Sequence, residues 1–188
     1  MIDRISRLLP ISPHVTTYDV LVATPKTIVD KYEREYEHPE RYYTHILTED
    51  NLSLVEEARP GYASVAKKRM SDGHTGIIAL NEDEVASIAW LYQNTTEAAT
   101  TVMYYDLGPN KSWFHSDWTA EKHRGEGLHT CLIYERAKYA LETDVTEVIE
   151  SNISINNEIS KHNYTKLGFD PDDQFTMFYV HESLNVKW

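Results

Sequence analysis

The amino-acid sequence predicts one α/β (α+β) domain, a mixed central sheet with helices packed on it. Three observations carry that expectation. Segments rich in β-branched and aromatic residues alternate with stretches of helical apolar spacing, most regularly in the second half of the chain. No repeat, low-complexity tract or Gly/Ser linker divides the 188 residues, a length that suits a single core. Hydrophobic residues make up 41% and charged residues 26%, a globular balance that excludes wholesale disorder.

Ile2, Ile5, Leu8 and Leu9 keep a helical spacing that Pro10 stops. Residues 14–23 read as a strand. Thr24-Pro25 then offers an N-cap and a first-turn proline for a helix to about Glu37, broken by His38-Pro39. A short strand at 42–47 precedes a helix capped by Thr48, with Leu52, Val55 and Ala58 as its apolar positions, ended by Pro60-Gly61. A further helix spans about 63–70. Residues 75–80 and 84–92 form a hairpin around Asn81-Glu82-Asp83. The stretch 94–110 is ambiguous, with strand character at 100–105. Strand 112–119 leads through a glycine-containing loop into a helix over 128–142. A strand over 145–154, a helix over 156–167 ending at Gly168, and a strand over 175–180 complete the pattern. Residues 1–41 read as an N-terminal extension packed on the core, and 42–188 as the main domain.

The charge excludes some functions. With 18 Lys and Arg against 30 Asp and Glu, the net charge is −12, so the chain has no general electrostatic footprint for nucleic acid. A halophilic or simply well-solvated surface fits that acidity. The single cysteine, Cys131, allows no intrachain disulfide and no Cys-rich zinc site. No apolar run approaches the roughly 18 residues of a spanning helix, and the N-terminal apolar stretch is too short for a signal-peptide core. A soluble cytoplasmic protein with no membrane partner is expected; a homodimer is left open.

Chemistry concentrates in Arg124-Gly125-Glu126-Gly127-Leu128, which joins a strand to a helix. Two glycines at a helix start let the backbone approach a ligand with its N–H groups outward, and those donors with the helix dipole suit a pyrophosphate. A plain tight turn explains the same residues locally. No Gly-Lys-Ser/Thr follows, so this is not a Walker loop, and the third glycine of a dinucleotide fingerprint is absent.

Around this loop the sequence resembles the GNAT acetyltransferase superfamily, which carries Arg/Gln-x-x-Gly-x-Gly/Ala at this place; residues 124–129 fit except for His129. The family's second signature also has its counterpart: Asn157 opens a helix, Tyr164 follows seven residues later, and Lys166-Leu167-Gly168-Phe169 ends it. The resemblance covers about residues 42–180. It implies a mostly antiparallel sheet with helices on both faces and a splayed strand pair, here 112–119 and 145–154, and acetyl transfer from acetyl-CoA directly to an amine without a covalent intermediate. Under that resemblance the backbone of Asp117, Trp118 and Thr119 holds the pantetheine arm. The loop from Arg124, Gly125 and Glu126 through Gly127, Leu128, His129 and Thr130 holds the pyrophosphate, and Asn157 and Tyr164 contact the cofactor.

Tyr164 is the candidate general acid for the departing thiolate, since a phenol is protonated at neutral pH. Taken alone, it reads first as a buried helix tyrosine stacked on the sheet, and the family's register reverses that preference. Asn157 can cap its helix, bond the cofactor, or both. Asn152 stands where some members place a catalytic glutamate, leaving Glu150 and Asp117 as candidate bases acting through water, or an amine that arrives neutral. His115, His123 and His129 lack metal-ligand spacing, and no metal is expected. Trp113, Phe114 and Trp118 read as core packing or as an aromatic wall beside the acceptor. Cys131 reads as a small packing residue. The acceptor could be a small amine, a protein N-terminus or a lysine. The alternatives are a CoA-binding or protein-interaction module without turnover, and a partner-binding domain in which the glycine loop is only a turn.

Overall fold

A computed structural model describes residues 13–102 and 105–180 of the chain. The helix expected over residues 2–9 lies outside the described residues. Strand β1 (Pro13–Ala23) and helix α1 (Pro25–Glu35) come first, and the Thr24 hydroxyl accepts the Thr27 N–H at 3.1 Å as the expected N-cap. Then come β2 (Tyr43–Ile46), α2 (Leu52–Ala58) after a single turn of 3-10 helix, and α3 (Tyr62–Ser71). The hairpin is β3 (His74–Asn81) and β4 (Glu84–Gln93). The ambiguous stretch holds two short strands, β5 (Thr100–Val102) and β6 (Tyr105–Leu107), which among the described residues pair with each other as a separate two-stranded sheet. Strand β7 (Lys111–Thr119), helix α4 (Leu128–Glu142), strand β8 (Val148–Ser154), helix α5 (Glu158–Thr165) and strand β9 (Asp170–Val180) complete the chain. β9 starts five residues earlier than its apolar pattern suggests, because Asp170 and Pro171 pair with Val22 and Leu21 of β1 although Asp170, Asp172 and Asp173 make this end of the strand acidic.

Among the described residues, seven strands form one sheet in the order β2-β3-β4-β7-β8-β1-β9, in which only β7 and β8 run parallel. One core lies under α1 and α4, where Leu21, Ile28, Phe114, Leu132, Ile133, Ile149 and Leu167 are buried. The other lies under α2 and α3 around Val55, Ala66, Ile78, Ile88 and Trp90. Helices thus cover both faces, as expected. β1 belongs to the sheet itself, hydrogen-bonded to β8 on one side and β9 on the other.

Two features of β7 open a cleft in this sheet and furnish it. The parallel pairing of β7 with β8 runs only from Lys111 opposite Val148 to Phe114 opposite Ser151. Beyond that point β7 stays with β4 and β8 stays with β1, so the two strands part as expected. The second feature is a bulge. Trp118 pairs with Ile88 and His115 with Trp90, leaving Ser116 and Asp117 opposite Ala89 alone. Ser116 takes φ +57°, and its hydroxyl meets Arg69 of α3 at 2.9 Å. The extra residue shifts the strand's alternation, so Asp117 joins Phe114 on the α4 face, a position regular pleating would deny it.

Candidate active site

Where β7 and β8 part, a cavity of about 820 Å³ opens at the N-terminus of α4. Its wall takes in Asp117, Trp118 and Thr119 from β7, the loop from Arg124 through Thr130 except Glu126, and Asn157, Ser160, Asn163 and Lys166 from α5 and its ends. Gly125 and Gly127 have φ of +82° and +76°, the left-handed region that disfavours side chains. A Cβ at either would meet nothing closer than 4.0 Å, so the loop faces open space. Among the described residues, no main-chain N–H from 125 to 130 donates to a protein acceptor; the first helical amide with a partner is Cys131, to the Gly127 carbonyl at 3.0 Å. These are the orphan donors of a helix start, gathered where the dipole is positive. Arg124 and Lys166 add cationic side chains to the same wall. The arrangement fits a diphosphate.

Beneath this wall sits a polar network. The Asp117 carboxylate lies 2.8 Å from Arg136 Nη1, accepts from His129 Nε2 at 2.8 Å, and accepts from the Tyr164 hydroxyl at 2.9 Å. Arg136 is fully buried. Its Nη2 donates to the Tyr164 oxygen at 3.2 Å, its other nitrogens donate to the carbonyls of Leu132 and Trp90, and its guanidinium stacks over Phe114. His129 presents Nε2 to Asp117, and its other ring nitrogen lies 2.9 Å from the Asn163 side-chain amide nitrogen. Burial pushes the Asp117 pKa up, but the Arg136 charge, aided by His129 and Tyr164, overcomes it and holds the carboxyl well below the usual range. Burial is also the main force on Tyr164, and together with the Asp117 charge it raises the phenol above its ordinary value against the opposing pull of Arg136.

Most of the expected residues therefore converge here. Asn157 accepts the Ser160 N–H at 3.1 Å, so it caps α5 while lining the cavity. Glu126 instead turns outward to Arg41 at 2.9 Å, and Tyr164 lies behind the wall rather than on it. Glu150 is not brought to the cavity. It stands where β7 and β8 are still paired, is buried, and is held by Lys111. Asn152, just past the parting point, keeps both amide atoms buried without a partner among the described residues. The three histidines have separate settings: His115 bonds His74 at 2.9 Å, His123 bonds the Tyr42 hydroxyl at 3.1 Å, and His129 serves Asp117. Trp113 stacks on His115, while Phe114 lies under α4 and Trp118 packs beside the α2–α3 core. The aromatic run thus divides between the two faces.

Arg136, Asn163, Ser160 and Lys166 are the site residues that sequence reasoning missed. One signal for Arg136 was present: it sits four residues from both Leu132 and Ala140, a lone charge on a buried helical stripe.

Comparisons with known proteins agree with this geometry. The acetyltransferase (GNAT) family model matches residues 27–169. No curated protein sequence matches the chain. Among solved structures, a tandem GNAT protein from the clavulanic acid biosynthesis pathway superposes with a TM-score of 0.67 at 14% identity, covering 95% of this chain and 58% of that one. A GCN5-related N-acetyltransferase-like protein from Streptococcus suis gives 0.64 at 13% identity, covering 96% and 67%. The aminoglycoside N-acetyltransferase AAC(6')-Iy, in complex with CoA, gives 0.57 at 18% identity, covering 73% and 97%. The chain spans 54%, 58% and 65% of the first three such structures, and at these identities the likeness is one of fold. The family match, extending over most of the chain, says more: the protein belongs to the GNAT acetyltransferase family.

Proposed function

We propose that the protein is an acyltransferase that moves an acetyl group from acetyl-CoA to a primary amine. The observation that carries this reading is the row of undonated N–H groups from 125 to 130 at the edge of a cleft between two parted strands. Acetyl-CoA supplies the activated thioester. The amides of 125–130, with Arg124 and Lys166, hold its diphosphate. The edge of β7 beyond its pairing with β8, at Asp117, Trp118 and Thr119, holds the pantetheine arm and sets the thioester against the amine, the main catalytic lever of such a site.

As the carbon–sulfur bond breaks, the Tyr164 hydroxyl turns from Asp117, its partner at rest, to donate to sulfur. A phenol this weakly acidic acts chiefly as a donor, and Arg136, 3.2 Å from its oxygen, offsets charge that builds there. Asp117 is too stable as a carboxylate to serve as a base near neutrality, so its work is to hold the Tyr164 and His129 side chains in place at the cleft. Glu150, held by Lys111 away from the cavity, has no part. The amine therefore arrives neutral. Its approach is from the sheet face opposite α4, where strand alternation puts the unpartnered Asn152 amide.

A second reading keeps cofactor binding without turnover. It is favoured by His129, which bonds Asn163 beside the cleft where the family has a small residue, and by the prior engagement of the Tyr164 hydroxyl. Thiol release from acetyl-CoA against a panel of amines separates the two. Steady release with any amine supports transfer, while CoA binding with no release favours the second reading.

A further inference from the structure

Away from the acetyl-transfer cleft, three side chains of metal-ligating type meet between α4 and the segment after α1. They are His38, Cys131 and Glu135, and one donor atom from each lies within 4.8 Å of the other two. Cys131 and Glu135 are one helical turn apart on the same face of α4, and His38 comes from 93 residues earlier in the chain than Cys131. The thiol sulfur is 3.3 Å from His38 Nε2, and the same nitrogen is 3.6 Å from the Glu135 carboxylate.

Those separations are informative. Zinc bonds of about 2.3 Å to sulfur and about 2.0–2.1 Å to nitrogen and oxygen, at tetrahedral angles, put neighbouring donors roughly 3.3–3.6 Å apart. The two separations from His38 Nε2, 3.3 Å to sulfur and 3.6 Å to the carboxylate, already match such a tetrahedron, and the sulfur and the carboxylate stand within 4.8 Å of each other. Burial is graded as an ion would need: Cys131 is enclosed, the Glu135 side chain is 17% exposed, and the His38 side chain is 38% exposed, which leaves one side open to solvent. Among the described residues Glu135 has no lysine or arginine within ion-pair distance. A thiolate and a carboxylate together would balance a divalent charge. Without an ion, burial and the nearby Glu135 charge keep the thiol protonated, with its pKa pushed up to about 12.

The geometry points to a divalent transition-metal site of zinc type formed by His38 Nε2, Cys131 Sγ and the Glu135 carboxylate, with water as the fourth ligand. Binding forms three metal–ligand bonds and releases the thiol proton to solvent. The mixed sulfur, nitrogen and oxygen donors favour zinc or cobalt over magnesium or calcium. The ion would tie the segment after α1 to the first two turns of α4, adjacent to the glycine loop but apart from its open face. The site is independent of the acyltransfer reading, and its test reads metal rather than activity.

The test uses untagged full-length protein, stripped with a chelator and titrated with cobalt(II), then with zinc(II) in competition. One equivalent of cobalt should give an intense tetrahedral visible spectrum with a sulfur-to-cobalt charge-transfer band in the near ultraviolet. Cys131→Ser should abolish that band. His38→Ala, a change at a partly exposed loop position that the fold tolerates, and Glu135→Gln should each weaken zinc binding about tenfold or more, with the circular-dichroism spectrum retained. A cobalt complex without the sulfur band would overturn the assignment. So would zinc affinity unchanged in the folded His38→Ala and Glu135→Gln variants, which would place the ion elsewhere on the acidic surface.

Discussion

At the scale of single residues, the Asp117–Arg136 pair decides how the site is built. Two opposite charges with little or no access to water are stable only while both are present, and removing one partner leaves the other buried and uncompensated. Asp117→Asn should therefore destabilise the fold by about 3–5 kcal/mol in urea unfolding, and an Asp117→Asn, Arg136→Met double variant should recover part of that loss. The pH dependence has a definite sign. Asp117 has a lowered folded-state pKa, so its contribution is complete above the ordinary aspartate range near pH 4 and shrinks as pH falls below it. His74 and His115 are also lowered, chiefly by burial, so protonation opposes the fold and stability should already decline as pH drops below about 6.5. Unfolding measured from pH 7 to 3 should show both phases, and only the lower one, to which Asp19 also contributes, should shrink with Asp117→Asn. For catalysis, Tyr164→Phe should cut kcat by about 100-fold or more while leaving CoA affinity within a few fold, because the hydroxyl lies behind the cavity wall. Equal losses in rate and in affinity would move Tyr164 from catalysis to binding.

At the scale of elements, the bulge in β7 and the start of α4 position everything else. The glycine loop, the α4 boundaries and the Asn157 cap were legible in the sequence because each rests on local chemistry: a turn that tolerates positive φ, a helical stripe, and an oxygen at a helix N-terminus. The bulge was not legible. Ser116 and Asp117 look like ordinary alternating strand residues, and only their register against Ala89 shows that Asp117 has changed faces. The Glu150 expectation failed at this scale too. Strand alternation correctly put it with Asn152, yet pairing continues to Ser151, so Glu150 sits in the zipped part beside Lys111. Gly127→Val should lower CoA affinity by about tenfold or more, since a β-branched residue at φ +76° must rearrange the loop that presents the amides. Isothermal titration checks this, and unaltered affinity would count against the loop as a phosphate site.

At the scale of the whole molecule, the unexpected feature is where the N-terminal strand goes. Residues 14–23 were readable as a strand, but a strand's place in a sheet depends on partners more than a hundred residues away, here Ile149 to Ser154 and Asp170 to Val180. β1 fills the gap between β8 and β9, and its Leu21 is fully buried in the core beneath α4. Deleting residues through Ala23 should leave both neighbours with unpaired edges and give a chain that does not unfold cooperatively, as thermal circular dichroism would record. The same sheet order keeps β8 on β1 and β7 on β4, which holds the cleft open between them. Titration of the purified protein with acetyl-CoA tests that cleft most directly. One equivalent should bind and stabilise the fold by about 2.7 kcal/mol at a hundredfold excess over Kd, with the gain falling sharply in Gly127→Val. No heat and no thermal shift at millimolar acetyl-CoA would contradict the account.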